Sequence, residues 1–291
     1  MHSRTDHIVP SLLTFGVLLA GCGTATVTPE PPPLVEFAIA GGVLTGPDTL
    51  LEGPATVRLS VADGRLDQVA LVRLEAGHTV EEFLAATEVA YPPFWAHFSG
   101  GAGAVAPGGT GEVVLSLQPG QWLALAFDTG PDGFPRVRHQ LHKPFTVVPG
   151  ATRAVLPSAP YQLATFDYGF LISAPLVAGT HVVEVSNLAP QRHEVILVEL
   201  PAGANAEAMA AWLLARRQGE AETPAPGRVV GGVAALTQSE RNYWTITVTP
   251  GNYAFLCLLA DDGDGRPHLA HGHLQRFEVL EPAQLLETDS P

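Results

Sequence analysis

The feature that most restricts this chain is that it carries one pattern twice. GPATVRLSV around Val57 is echoed by GTHVVEVSN around Val183. LDQVALVRL (Leu66 to Leu74) is echoed by RHEVILVEL (Arg192 to Leu200), and a helical stretch follows each, near Val80–Val89 and near Ala206–Gln218. Gly100-Gly101 and Gly231-Gly232 come next. VVLSLQPGQWLALAF (Val113 to Phe127) then matches WTITVTPGNYAFLCL (Trp244 to Leu258), and GFPRVRHQLHKPFTVV matches GRPHLAHGHLQRFEVL. Most of these blocks alternate apolar and polar residues with period two and are bounded by turn residues. That pattern puts successive side chains on opposite faces of antiparallel strands, one face toward a core. Each copy has roughly 115 residues, the size of a β-sandwich with a single core. The expected organisation is two modules, 35–150 and 160–281, joined by the proline-rich stretch Pro149 to Pro160, with a loose tail after Glu281. Thr79 with Glu82 makes a capping box for the first helix, and Gly219 suits the C′ position of the second.

Composition removes several classes of function. A hydrophobic share of 46% against a charged share of 15% is the reverse of what disorder requires. Glycine and proline are scattered rather than periodic, which excludes a collagen-like chain and argues for many turns. The net charge is −14, and Lys143 is the sole lysine. Such a surface leaves no footprint for nucleic acid or anionic lipid and suits a cationic partner. No nucleophile elbow, phosphate-binding glycine loop or spaced carboxylate pair is present.

The N-terminus reads as an export and anchoring signal. Ile8 to Ala20 is an apolar run too short to span a bilayer and right for a signal peptide over residues 1–21. Leu19-Ala20-Gly21-Cys22 resembles a bacterial lipobox, which implies lipidation at Cys22 and contact with the membrane through that lipid. Residues 22–34, with Pro29, Pro31, Pro32 and Pro33, form an extended tether. Gly23 after the cysteine resembles sorting to the outer membrane, so the expected location is the cell envelope, on the periplasmic face in a Gram-negative cell. Lipidation at Cys22 leaves Cys257 as one unpaired thiol in an oxidising compartment. It is a buried inert residue, a partner for another chain, or a metal ligand.

In the second copy, Tyr253, Phe255 and Cys257 alternate and so share the core face of one strand. Pro267-His268 follows Cys257, then His273; His193 opens an earlier apolar strand. The start of one strand and the end of another meet at one pole of a sandwich, so these residues can form a site of imidazoles and one sulfur. They resemble the plastocyanin-like branch of the cupredoxin family, in which Gly-x-Tyr-x-aromatic-x-Cys leads into the copper loop, as Gly251 to Cys257 does. A Pro-His follows, as Pro267-His268 does, and Asn187 precedes His193. The resemblance implies an all-β fold of two tandem cupredoxin-like Greek-key sandwiches, each with a short inserted helix. It further implies one copper ion bound by His193, Cys257 and His268 with a weaker axial ligand. The implied role is one-electron transfer or copper handling with a redox or copper-delivery protein as partner. An exposed edge of His268 is then the expected entry for electrons.

Three features depart from the family pattern. The stretch between Cys257 and His268 is long, His273 stands where an axial Met is usual, and Glu194 follows the first His where Asn is usual. Ligation by His273 would favour Cu(II) and a more tetragonal site, with a lower potential and weaker blue colour. Asp261, Asp262 and Asp264 lack the spacing of a calcium loop and read as a solvated turn. His271 matches His139 of the first copy and reads as structural. The first copy acts as an internal control, because Asp67, Ala126, Arg136 and Leu141 stand in place of His193, Cys257, His268 and His273. Core packing alone therefore does not demand Cys or His there. The competing expectation is a metal-free two-domain lipoprotein that binds a protein or a surface glycan. A copper oxidoreductase is the weakest reading, since one mononuclear centre provides no second site for a substrate.

Overall fold

The computed structural model describes residues 30–62, 64–89, 92–129, 135–217 and 223–282. The expected signal segment, Cys22, the first part of the tether, Gly219 and the end of the tail lie outside the described residues. The protein is all-β, with two short α-helices among the described residues. The first half of the chain supplies β1 (Leu34–Ala40), β2 (Val43–Thr45), β3 (Thr49–Leu51), β4 (Gly53–Val61) and β5 (Ala70–Leu74). After α1 (Val80–Val89) come β6 (Ala96–Phe98), β7 (Ala102–Gly103), β8 (Gly109–Leu117), β9 (Gly120–Thr129) and β10 (Pro135–Val148). The second half supplies β11 (Tyr161–Phe166), β12 (Gly169–Ile172), β13 (Gly179–Asn187) and β14 (His193–Leu200). After α2 (Ala206–Arg217) come β15 (Arg228–Leu236), β16 (Arg241–Val248), β17 (Gly251–Leu256) and β18 (Leu274–Val279). The capping box of α1 is formed: the Glu82 N–H donates to Thr79 Oγ1 at 3.2 Å, and the Thr79 N–H donates to the Glu82 carboxylate at 3.0 Å.

Pairing in the two halves follows the same plan. β1 runs parallel to β4 and antiparallel to β2, as β11 does with β13 and β12. β5 and β14 lie against β9 and β17 respectively, both antiparallel. One eight-stranded sheet, in the order β12-β11-β13-β16-β8-β4-β1-β2, runs through both halves. Two five-stranded sheets, β3-β10-β9-β5-β6 and β18-β17-β14-β15-β7, pack across it. Their facing side chains form one core that includes Leu59, Leu115, Trp122, Phe145, Val185, Leu197 and Phe255. The outer faces of β14 and β17 are covered by α2, where Met209 and Leu213 pack on Val198, Ala254 and Leu256. β14 is therefore buried on both sides, which is why HEVILVEL is a nearly continuous apolar run instead of an alternating one.

The halves are joined by strands, not by side chains alone. β16 pairs with β8 through Tyr243–Val114 and Trp244–Val113, and β15 pairs with β7. At this seam the Asn242 side chain is fully buried; its Oδ1 accepts from the Gly101 N–H and its Nδ2 donates to the Ser99 carbonyl, each at 2.8 Å. The repeated glycines have one job in both halves. A Cβ on Gly101 would lie 2.1 Å from the Val69 carbonyl oxygen, and one on Gly232 would lie 2.2 Å from that of Val195. Neither position has room for a side chain.

Candidate metal centre

Asn187, at the end of β13, shapes the approach to the site. Its buried amide donates to the carbonyls of Gln191 at 2.7 Å and Leu236 at 2.8 Å. Its oxygen accepts from the Ala189 N–H at 2.9 Å and the Thr165 hydroxyl at 3.2 Å. The loop from 188 to 192 is thereby folded over, and His193 enters β14 at the pole of the sandwich. Cys257 follows β17 directly, and the strand alternation sends Tyr253, Phe255 and Cys257 into the central core while Ala254 and Leu256 face α2.

The long segment after Cys257 returns to its starting point. The Leu258 N–H donates to Glu194 Oε1 at 3.0 Å, so the residue after His193 holds the start of the loop. Asp261 closes the turn, its Oδ1 accepting from the N–H groups of Gly263 at 2.8 Å and Asp264 at 3.1 Å. The His268 N–H then donates to the Leu259 carbonyl at 2.7 Å, and a single 3-10 turn, His268–His271, ends at Gly272 with φ of 93°. The Cys257 N–H donates to the His273 carbonyl at 3.2 Å and closes the ring of chain around the site.

His193, Cys257, His268 and His273 all have no solvent exposure. One ligand atom from each lies within 4.8 Å of those of the others. Cys257 Sγ is 3.8 Å from His193 Nδ1 and 3.4 Å from His268 Nδ1. A metal bonded to sulfur and nitrogen at ordinary lengths and tetrahedral angles separates them by about 3.6 Å, so both distances bracket a shared ion. The outer nitrogens define the tautomers. His193 Nε2 is 2.9 Å from Asp167 Oδ1, and His273 Nε2 is 2.9 Å from the Gly169 carbonyl. Both oxygens only accept, so both Nε2 atoms carry the proton. Gln191 donates its amide to Asp261 Oδ2 at 3.0 Å, which turns its Oε1 toward His268 Nε2 at 3.2 Å as an acceptor. All three imidazoles thus present a bare Nδ1.

Electrostatics keep them in that form. Burial, together with neighbouring imidazoles, lowers His193 and His273 to about 3 from an ordinary 6.5. Burial also lowers His268, against the upward pull of Asp261. Neutral imidazole is the ligating form. His273 Nδ1 is buried with no hydrogen-bond partner. An unsatisfied buried acceptor costs about 1–3 kcal/mol, which a metal at this position removes. His193, Cys257, His268 and His273 form a ligand set of the type-1 copper kind, with the third imidazole as the added donor.

Two expectations are corrected. His268 has no exposed edge, because Tyr168 packs edge-on against its ring with centroids 5.8 Å apart and Gln191 occupies its outer nitrogen. Asp262 and Asp264 are exposed as a solvated turn requires, but Asp261 is not: it is 5% exposed. Burial alone would raise its carboxyl, but hydrogen bonds from Tyr168, Gln191 and two backbone N–H groups hold it well below the usual range. Asp261, Asp264 and His271 do lie together, yet Asp264 accepts from the Arg266 N–H and pairs with His271 at 3.2 Å, so these oxygens are already engaged. In the first half, Ala126 and Leu141 are buried and carry no ligand atom, and the Arg136 side chain lies outside the described residues.

Sequence reading missed Asp167, Tyr168, Gly169 and Gln191. Asp-Tyr-Gly between two short strands is a turn signal, but its distance along the chain from the histidines hid its place beside them. Arg192, next to His193, ties the site to the first half: its guanidinium donates to the Pro92 carbonyl at 3.1 Å and lies 5.2 Å over the Phe98 ring.

No family model matches the sequence, and no curated protein matches it. Among solved structures the chain is similar to a reduced auracyanin from Roseiflexus castenholzii, at 19% identity and a TM-score of 0.28, over 40% of this chain and 94% of that one. It is similar to auracyanin A, a "blue" copper protein from Chloroflexus aurantiacus, at 19% identity and a TM-score of 0.27, over 41% and 98%. It is also similar to a blue copper oxidase from Nitrosomonas europaea, at 11% identity and a TM-score of 0.24, over 90% and 89%.

Proposed function

We propose that this protein binds one copper ion through His193, Cys257, His268 and His273 and serves in one-electron transfer or copper handling in the cell envelope. The observation that carries the reading is the buried convergence of one thiol with three imidazoles, each of which keeps a proton-free Nδ1. Thiolate and imidazole are donors that copper favours, and for a given set of such donors Cu(II) ranks above Zn(II). When bound, copper supplies a one-electron couple. The chain's own contribution is to exclude water, hold the imidazoles from outside and keep the donors in place on a rigid sheet, so little rearrangement accompanies a change of charge. Four protein donors leave no open position for a substrate, which favours a carrier over an enzyme. Lipidation at Cys22 would tether the protein to a membrane and leave the metal end free to meet a redox or copper-delivery protein. The two halves fit the reading of duplicated modules, 35–150 and 160–281, of which the second alone keeps the ligands.

The test is titration of the purified protein with Cu(II). A visible thiolate-to-copper band at one ion per chain, absent in Cys257→Ser, supports the reading. No band, or displacement of bound copper by equimolar Zn(II), overturns it.

A further inference from the structure

The outer partners of the imidazoles come from one place. The turn between β11 and β12 is Asp167-Tyr168, and Gly169 follows it as the first residue of β12. Asp167 Oδ1 accepts from His193 and the Gly169 carbonyl accepts from His273. The Tyr168 ring packs on His268, and its hydroxyl donates to Asp261 Oδ2 at 2.6 Å, the same oxygen that anchors the Gln191 amide. Gln191 is in turn the acceptor for His268. Three consecutive residues therefore contact or support all three imidazoles. Tyr168 does so with φ of 66°, in the left-handed region that non-glycine residues enter at a cost. The three acceptors are not equivalent, since Asp167 is a carboxylate and the other two are neutral amide oxygens. A carboxylate behind an imidazole fixes the tautomer and makes the inward nitrogen a stronger donor.

We propose that the Asp167-Tyr168-Gly169 segment is the outer clamp of this centre, and that Asp167 is a positioning residue that sets the tautomer and donor strength of His193. The proposal deepens the copper reading and rests on it for the effect on affinity; the tautomer is a property of the metal-free chain. Asp167→Asn keeps an acceptor but removes the charge, and Asp167→Ala removes both. The Asp167 side chain is 38% exposed, so neither change opens the core.

The first measurement is nitrogen NMR of the metal-free, full-length protein. His193 is expected as the Nε2–H tautomer in the wild type and in Asp167→Asn, and as a mixture in Asp167→Ala. The second is competition for Cu(II) against a chelator of known affinity. Asp167→Asn is expected to weaken binding by about tenfold and Asp167→Ala by up to about a hundredfold, the usual range for such outer partners, with the thiolate band retained. An Nδ1–H tautomer in the wild type, or unaltered copper affinity in Asp167→Ala, overturns the clamp. Should the wild type take up no copper, the copper reading alone fails. The tautomer then decides the clamp, which stands if His193 becomes mixed in Asp167→Ala and falls if it does not.

Discussion

Replacement of Asn187 by alanine removes the knot that folds the entry to the metal centre, and its cost can be worked from the four hydrogen bonds of the side chain. The Leu236 carbonyl belongs to a residue with no solvent exposure, and it loses its partner at 2.8 Å. Leaving such a group unpaired costs about 1–3 kcal/mol. The Gln191 carbonyl lies in a half-buried loop where water can replace the lost amide, and together with the Ala189 N–H and the Thr165 hydroxyl its loss adds about 1–2 kcal/mol net. A total near 3 kcal/mol, divided by a urea dependence of about 2–3 kcal/mol per molar, lowers the unfolding midpoint by about 1 M. Urea titrations followed by circular dichroism, with chelator present, measure the metal-free value. The same titration with one equivalent of Cu(II) should show a larger loss, because the released loop carries Gln191 and leads into His193. A metal-free midpoint within about 0.3 M of the wild type would refute the reasoning, since it would mean that the buried amide is replaceable at no cost.

Further outcomes follow from the same geometry. Gly232→Ala places a carbon 2.2 Å from the Val195 carbonyl and should unfold at markedly lower urea, by about 2 kcal/mol or more, as a forced backbone shift in a central strand requires. Acid should destabilise the metal-free protein in a defined window. His193 and His273 titrate at about 3 when folded and 6.5 otherwise, so the unfolded chain takes up protons that the folded one refuses as the pH falls below 6.5. Their contribution is intact above pH 6.5 and declines by roughly 3 kcal/mol per pH unit for the pair between about pH 6 and 4, which urea midpoints at pH 7.5, 6 and 5 will read; a flat profile contradicts the neutral cluster. Tyr168→Ala uncovers His268 and should speed removal of bound copper by a chelator, with the visible band preserved beforehand.

The alternation in Gly251 to Cys257 makes the direction of the thiol legible from the sequence, because a strand offers only two faces and the aromatics mark the inner one. The matching blocks of the two halves make the strand inventory legible for the same reason, and the different residues at the matching positions of the first half separate packing needs from chemical ones. Sequence fails as a guide where contact depends on chain segments far apart. An exposed edge of His268 is the expectation that accompanies an electron-transfer role, but Tyr168 covers it from another hairpin. Asp261 resembles a solvated turn residue in sequence, and is buried because Tyr168 and Gln191 converge on it.

What this sequence determined by itself is local: which residues alternate, where turns interrupt them, and which side chains can act as soft donors to a metal. Those properties depend on neighbours a few residues away, where covalent geometry limits the choices. What only the tertiary structure decided is the meeting of His193, Cys257, His268 and His273 within 4.8 Å and the clamp of the 167–169 segment behind them. That meeting arises because sheet pairing brings the strand ends to one pole, and the energy that holds it is burial shared across the whole core.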